Sequence, residues 1–255
     1  MLLRRVIVHL RKQEWTAIAI DFVIVVLGVL LGLQANEWGA SQADVRRGEA
    51  YAERLVAEIE ENLGERRQLL AYYEAVYASA EISNTFLEQT TADPASLIVN
   101  VYRASEYSYN APTRSIWDEI VSSGDIGLLP RDAISALGDY FSDNPALRAA
   151  ELMSHSSYRS RVRTTIPHDV QTAIRDRCGD VRNERGDITG VRDDCDLQVD
   201  QARLAEVARA LRQDPGVQSD LAYQFSFISI ALANLRGDIA SLEEALIALE
   251  GEQSR

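Results

Sequence analysis

Residues Trp15 to Leu33 read WTAIAIDFVIVVLGVLLGL, an apolar run of 19 residues that contains one carboxylate, Asp21. At roughly 1.5 Å of rise per residue, a helix of that length spans the hydrocarbon core of a bilayer. The run therefore predicts a transmembrane helix over residues 15–35, preceded by a tail over 1–14 and followed by a folded domain over 36–255. No second run of this kind stands out, and the composition after Gln34 is that of a water-soluble domain. A cleaved signal peptide is the competing reading. Its apolar core is typically shorter, roughly 7–15 residues, and ends at a small-x-small site, which Leu33-Gln34-Ala35-Asn36 fits poorly.

Basic residues set the expected orientation. Arg4, Arg5, Arg11 and Lys12 precede the span, whereas the nearest basic residues beyond it, Arg46 and Arg47, sit among Asp44 and Glu49. The positive-inside rule then keeps the tail in the cytoplasm and exports the domain. Leu2, Leu3, Val6, Ile7 and Leu10 recur at helical spacing, the pattern of a short amphipathic helix on the inner leaflet; an unstructured basic tail is the alternative.

Within the span, Ala17, Asp21, Ile24, Gly28, Gly32 and Ala35 share one face at 100° per residue, with bulky Phe22, Val26, Val29 and Leu33 on the other side. Small residues let helix backbones approach closely, so Ala17, Asp21, Gly28, Gly32 and Ala35 are the expected helix–helix contact in the membrane. An acid within a span faces a partner or water rather than lipid. Asp21 can pair with a partner helix, lie neutral near the interface, or carry protons as the single-span acid of stator-like machines does.

The tail holds four basic residues and one acidic, and the span one carboxylate, so of the chain's net −13 about −15 falls on the part beyond the span. That charge argues against nucleic acid and anionic lipid surfaces as partners. Gly and Pro are few, and the apolar spacing is helical nearly throughout, which predicts an all-α domain, an antiparallel helical bundle. One long helix is expected from about Ala43 to Phe86, with Gly64 as a weak point; a short helix starts at Pro94, capped by Asp93. Tyr102, Tyr107, Tyr109 and Pro112 mark an irregular link. Further helices are expected over Thr113–Ser123, ended by Gly124, over Arg131–Phe141, and over Pro145–Arg177 with a break near Pro167. Asp214 and Pro215 open the last helix, where Leu221, Phe225, Ile228, Leu232, Leu235, Ile239, Leu242, Leu246 and Leu249 keep a heptad seam. The seam fits the first long helix running antiparallel; an oligomeric coiled coil is the rival.

Cys178 and Cys195 are the only cysteines, and in an oxidising compartment such a pair forms a disulfide. The polar segment between them reads as a loop that would be floppy without the bridge. Asp193, Asp194 and Asp196 fit no EF-hand spacing and read as a solvated acidic loop. His155 and His168, the domain's two histidines, form no metal motif; there is no nucleophile elbow, no phosphate-cradling glycine loop and no short Cys-x-x-Cys pair. Ser122-Ser123-Gly124-Asp125 reads as a helix end. The sequence thus predicts no catalytic residue, metal or cofactor, and no enzyme activity.

Two segments carry a resemblance. Ala19 to Trp38 (AIDFVIVVLGVLLGLQANEW) and Pro112 to Leu129 (PTRSIWDEIVSSGDIGLL) resemble the two motifs of a bacterial group of single-span membrane proteins catalogued only as a domain of unknown function. The resemblance implies a membrane-anchored helical protein and transfers no activity; the cysteine pair is not one of its marks. In a bacterium the orientation above places the anchor in the inner membrane and the domain in the periplasm. The expected function is a non-enzymatic scaffold whose partners are the bilayer and either a second copy or an integral membrane protein. A proton-coupled stator-like subunit using Asp21 and a ligand-sensing helical bundle are the alternatives.

Overall fold

A computed structural model of the chain describes residues 15–142, 145–184, 186, 188–192 and 195–253. The expected amphipathic tail, residues 1–14, lies outside them. The fold is all-α apart from one two-stranded sheet. Helix α1 runs Trp15–Glu88; α2 (Pro94–Arg103), α3 (Ser115–Ser123) and α4 (Arg131–Ser142) follow. Helices α5 (Pro145–Ser154), α6 (Ser157–Thr165) and α7 (His168–Cys178) lead into strands β1 (Asp180–Arg182) and β2 (Ile188–Val191). Helices α8 (Gln201–Gln213) and α9 (Pro215–Gln253) complete the chain.

By internal contacts the chain divides into two compact units, residues 1–53 and 54–255. The division falls inside α1 rather than at the end of the apolar run. The sequence reading placed separate helices over 15–35 and 43–86; α1 is instead one helix, because the intervening stretch has no proline and the isolated Gly39 and Gly64 each cost only about 1 kcal/mol against alanine. In the first unit every residue from Ala19 to Ala43 is exposed.

The second unit holds the core. Along α9, Leu221, Ile228, Leu235, Leu242 and Leu249 are buried as the heptad spacing predicts. The seam is satisfied within the chain, and the partner helix runs antiparallel: Glu88 meets Gln218, Glu74 meets Arg236 and Arg67 meets Glu243 as one helix ascends and the other descends. Tyr77 and Phe225 stack edge-on between them, with centroids 5.3 Å apart. Helices α4, α5 and α6 pack on α9, and α2, α6 and α8 pack on one another. By length and composition α9 as well as α1 is apolar enough to cross a membrane, a property the sequence reading had reserved for the first run. The difference lies in burial: the apolar window of α1 is bare, whereas α9 buries a stripe against the bundle.

The helix ends follow the expected chemistry. Asp93 caps α2 through Ser96 N, and Gly124, at φ +79°, closes α3 in the left-handed conformation. The helix expected over Pro145–Arg177 breaks twice. Pro167 makes the anticipated break, and Ser156 makes the other by capping α6 through Arg159 N. The segment between the cysteines, expected to be loop alone, carries an antiparallel hairpin with Asp180 opposite Val191 and Arg182 opposite Ile188. Val181, Ile188 and Val191 supply the strand-forming residues that its polar composition concealed.

Candidate functional site

Polar side chains at successive turns of α1 grip the link between α2 and α3. Glu58 accepts from Ser115 Oγ at 2.9 Å, Ile116 N at 2.8 Å and Trp117 N at 3.2 Å, capping α3 from another helix. Asn62 donates to Thr113 O at 2.7 Å and accepts from Thr113 N at 2.9 Å. Arg66 donates to Asn110 O at 3.0 Å, and the Tyr73 hydroxyl to Ser108 O at 2.8 Å. Positions 58, 62 and 66 repeat every four residues and so lie on one face of the helix. All three are buried, where an unpaired polar group is costly, so the link is held in one path.

That path brings Glu106 to Asn110 against α6, α7 and the hairpin, enclosing a cavity of about 660 Å³. Arg159 and Arg163 enter from α6, Arg175 from the last turn of α7, and Asp180 and Arg182 from β1. Tyr72 of α1 and Tyr102 of α2 form further walls. The hairpin is fixed at its base by the Cys178–Cys195 disulfide, whose Cα atoms are 5.1 Å apart. Arg103 braces the same point by donating to Cys178 O at 3.3 Å. Gly179 between α7 and β1 cannot be another residue without movement, since a Cβ there would lie 2.4 Å from Arg175 O.

The arginines are held by aromatic rings. The Arg163 guanidinium stands 3.3 Å from the Tyr102 ring centroid and that of Arg159 stands 4.8 Å from Tyr107, while Arg159 also donates to Ser105 O at 2.7 Å. The internal ion pairs are loose: Arg163 to Glu106 is 3.9 Å and Arg182 to Asp180 is 3.6 Å. Burial pushes Glu106 up to about 8, with Asp180 adding to the rise and Arg159, Arg103 and Arg182 opposing it. Burial likewise raises Asp180, and it raises the Tyr72 hydroxyl well above its ordinary range, aided by Glu106 and Asp180. Burial and the neighbouring Arg175 lower Arg163 to about 10, which leaves it a cation at neutral pH. Arg163 Nε and Asn110 Nδ2 are buried without a hydrogen-bond partner among the described residues, and the buried Tyr72 hydroxyl faces the Asp180 carboxylate, whose charge it helps to hold. Buried polar atoms are nearly always paired in folded proteins, so two unpaired ones beside this cavity make it the candidate site.

The expected site residues lie elsewhere. Asp21, Gly28, Gly32 and Ala35 are on the exposed part of α1, and a Cβ at Gly28 or Gly32 would meet nothing within 4 Å; the side chain of Ala17 lies outside the described residues. Cys178 and Cys195 are joined as the spacing predicts. His155 sits at the end of α5 beside Ser154 and Glu151 O, and Asp196 accepts from Gln198 N at 3.1 Å; Asp193 and Asp194 are outside the described residues. Among the described residues no group of metal-ligating side chains comes together. The pocket residues escaped sequence reasoning because they come from six elements: α1, α2, the α2–α3 link, α6, α7 and the hairpin. The available signal was the density of arginine from Arg159 to Arg182 in an acidic chain, together with the tyrosines at 102, 107 and 109.

Fold and site together define an all-α protein with an N-terminal helix long and apolar enough to cross a membrane, and a helical bundle that encloses an arginine- and tyrosine-lined pocket. Compared with known proteins, the chain matches no family model, no curated protein and no solved structure.

Proposed function

We propose that this protein is a membrane-anchored helical binding module, non-enzymatic, that takes a small molecule into the pocket between α1, α6, α7 and the hairpin. The observation that carries the reading is a cavity of about 660 Å³, a volume within the usual range for small-molecule sites, lined by four arginines and by the buried, unpartnered Arg163 Nε and Asn110 Nδ2. The reading makes ligand binding the primary task of the bundle, ahead of the scaffold role that the sequence alone favoured. The apolar start of α1 is the anchor in the bacterial inner membrane, and the basic residues before it support a cytoplasmic tail and a periplasmic bundle. Thermal melts of the full chain in detergent micelles, run against a library of anionic, neutral and cationic metabolites, test the binding role. A subset of related compounds raises the melting temperature; a flat response across the library overturns the reading. Protease added to intact spheroplasts digests the bundle, and complete protection overturns the orientation.

A second reading adds a docking role for the anchor. It is supported by the bare face of Asp21, Gly28 and Gly32, where nothing occupies the space a Cβ would take. Contact with a second copy or with another membrane protein through that face is compatible with ligand binding in the bundle.

A further inference from the structure

Among the described residues four arginines line the pocket and Glu106 and Asp180 are its carboxylates, so even with both carboxylates ionised the pocket holds an excess of two positive charges in a chain of net charge −13, and the protonation of Glu106 at neutral pH increases it. Charges gathered in a partly desolvated site need counter-charges, and neither resident carboxylate makes a close pair there. Each guanidinium offers five N–H donors. Arg159 gives one to Ser105 O, Arg175 one to Thr172 Oγ1 at 3.1 Å and Arg182 one to Gly186 O at 2.7 Å. The Nε–H of Arg163 has no acceptor among the described residues.

We propose that the pocket binds a small organic dianion, a dicarboxylate or a phosphate monoester, held by Arg159 and Arg163 of α6, Arg175 of α7 and Arg182 of β1. The inference rests on the ligand-binding reading above and narrows it to a chemical class. Two negative charges offset most of the excess, and the planar fork of arginine matches the paired oxygens of a carboxylate or phosphate. The ring stacking of Arg159 on Tyr107 and Arg163 on Tyr102 fixes these donors in advance, which removes part of the ordering cost of binding.

The test is calorimetric titration of the full chain in zwitterionic detergent micelles with succinate, with glycerol 3-phosphate and with neutral succinamide. Saturable binding of one or both anions is expected, and their relative affinity tells a carboxylate site from a phosphate site. Arg182→Gln and Arg175→Gln remove exposed side chains that do not support the core, so each leaves the melting temperature of the ligand-free protein unchanged and weakens anion binding by at least about tenfold. Arg131→Gln, at the start of α4 and outside the pocket, leaves it unchanged. Equal weakening by Arg131→Gln shows attraction to overall charge and overturns the proposal. Succinamide binding as tightly as succinate, or silence of both anions while the library yields neutral or cationic ligands, overturns the dianion and leaves the binding module standing. Silence of both anions with a flat library overturns both.

Discussion

Removing the side chain of Asn62 tests whether α1 dictates the path of the α2–α3 link. Asn62 is completely buried and makes three hydrogen bonds: to Thr113 O at 2.7 Å, to Glu58 O at 3.0 Å, and from Thr113 N at 2.9 Å. In Asn62→Ala all three are lost, and the Thr113 amide and carbonyl are left half-buried without their partner. A net value of about 1 kcal/mol per hydrogen bond gives a destabilisation of about 3 kcal/mol. For a domain of this size, about 2–4 °C per kcal/mol translates that into a fall in melting temperature of roughly 6–12 °C. The assay is a thermal melt of the full chain in micelles followed by tryptophan fluorescence, which reports on Trp117 in the helix that the link leads into. Hydrogen exchange at the Thr113 amide gives a local readout and accelerates in the variant. The same substitution weakens ligand binding, because the link carries Glu106 to Asn110 into the pocket. A melting temperature within about 2 °C of the parent, below the shift expected for a single hydrogen bond, would refute the claim that this clamp orders the link.

Glu106 is held up to about 8 by burial against an ordinary value of 4.5, so between those values the folded state keeps a proton that the unfolded state has released; stability therefore falls as pH rises through that window. Urea midpoints measured from pH ~5 to ~9 show the decline, and Glu106→Gln flattens it; Asp238, raised by burial to about 6, contributes only to the lower part. Opening the disulfide, which closes a separation of 17 residues, costs about 3 kcal/mol in the chain-entropy model, so Cys178→Ser with Cys195→Ser lowers the urea midpoint, and in the parent alkylation without reductant leaves both cysteines unmodified by mass spectrometry. In the membrane, Gly28→Ile with Gly32→Ile separates the anchor from its partner helix in a cysteine crosslinking scan, whereas Asp21→Asn preserves the contact; crosslinks through Phe22, Val26 and Leu33 instead refute the face assignment.

The sequence spelled out the parts of this molecule that depend on periodicity and on terminal chemistry. The α9 stripe from Leu221 to Leu249, the Asp93 cap and the left-handed Gly124 each follow from local spacing or backbone preference, and the structure has them all. The first helix was harder to read for the reason that makes it useful. Its apolar residues Leu55, Ile59, Leu63 and Tyr73 are buried as helical spacing suggests, but the core side of the helix also includes Glu58, Asn62 and Arg66. Hydrophobic patterning assigns such residues to solvent, and only the partners they meet in the α2–α3 link reveal otherwise. The pocket is non-local in the same way. Nothing in the spacing of Tyr72, Glu106, Arg163 and Asp180 joins them, because tertiary packing rather than any one element sets their positions.

The hairpin has a different standing in the molecule from the helices it faces. A two-stranded sheet on its own is marginally stable in water, and here its base is fastened by a covalent bond and by Arg103 rather than by a core of its own. Tyr72, Arg159 and Arg163 sit on helices whose other faces are committed to the bundle, so changes there cost stability. Arg182 and Gly186, both exposed, carry no such commitment. Selectivity can therefore drift by substitution in the hairpin while the rest of the pocket stays constant, so that proteins built on this plan can diverge in what they recognise without being rebuilt.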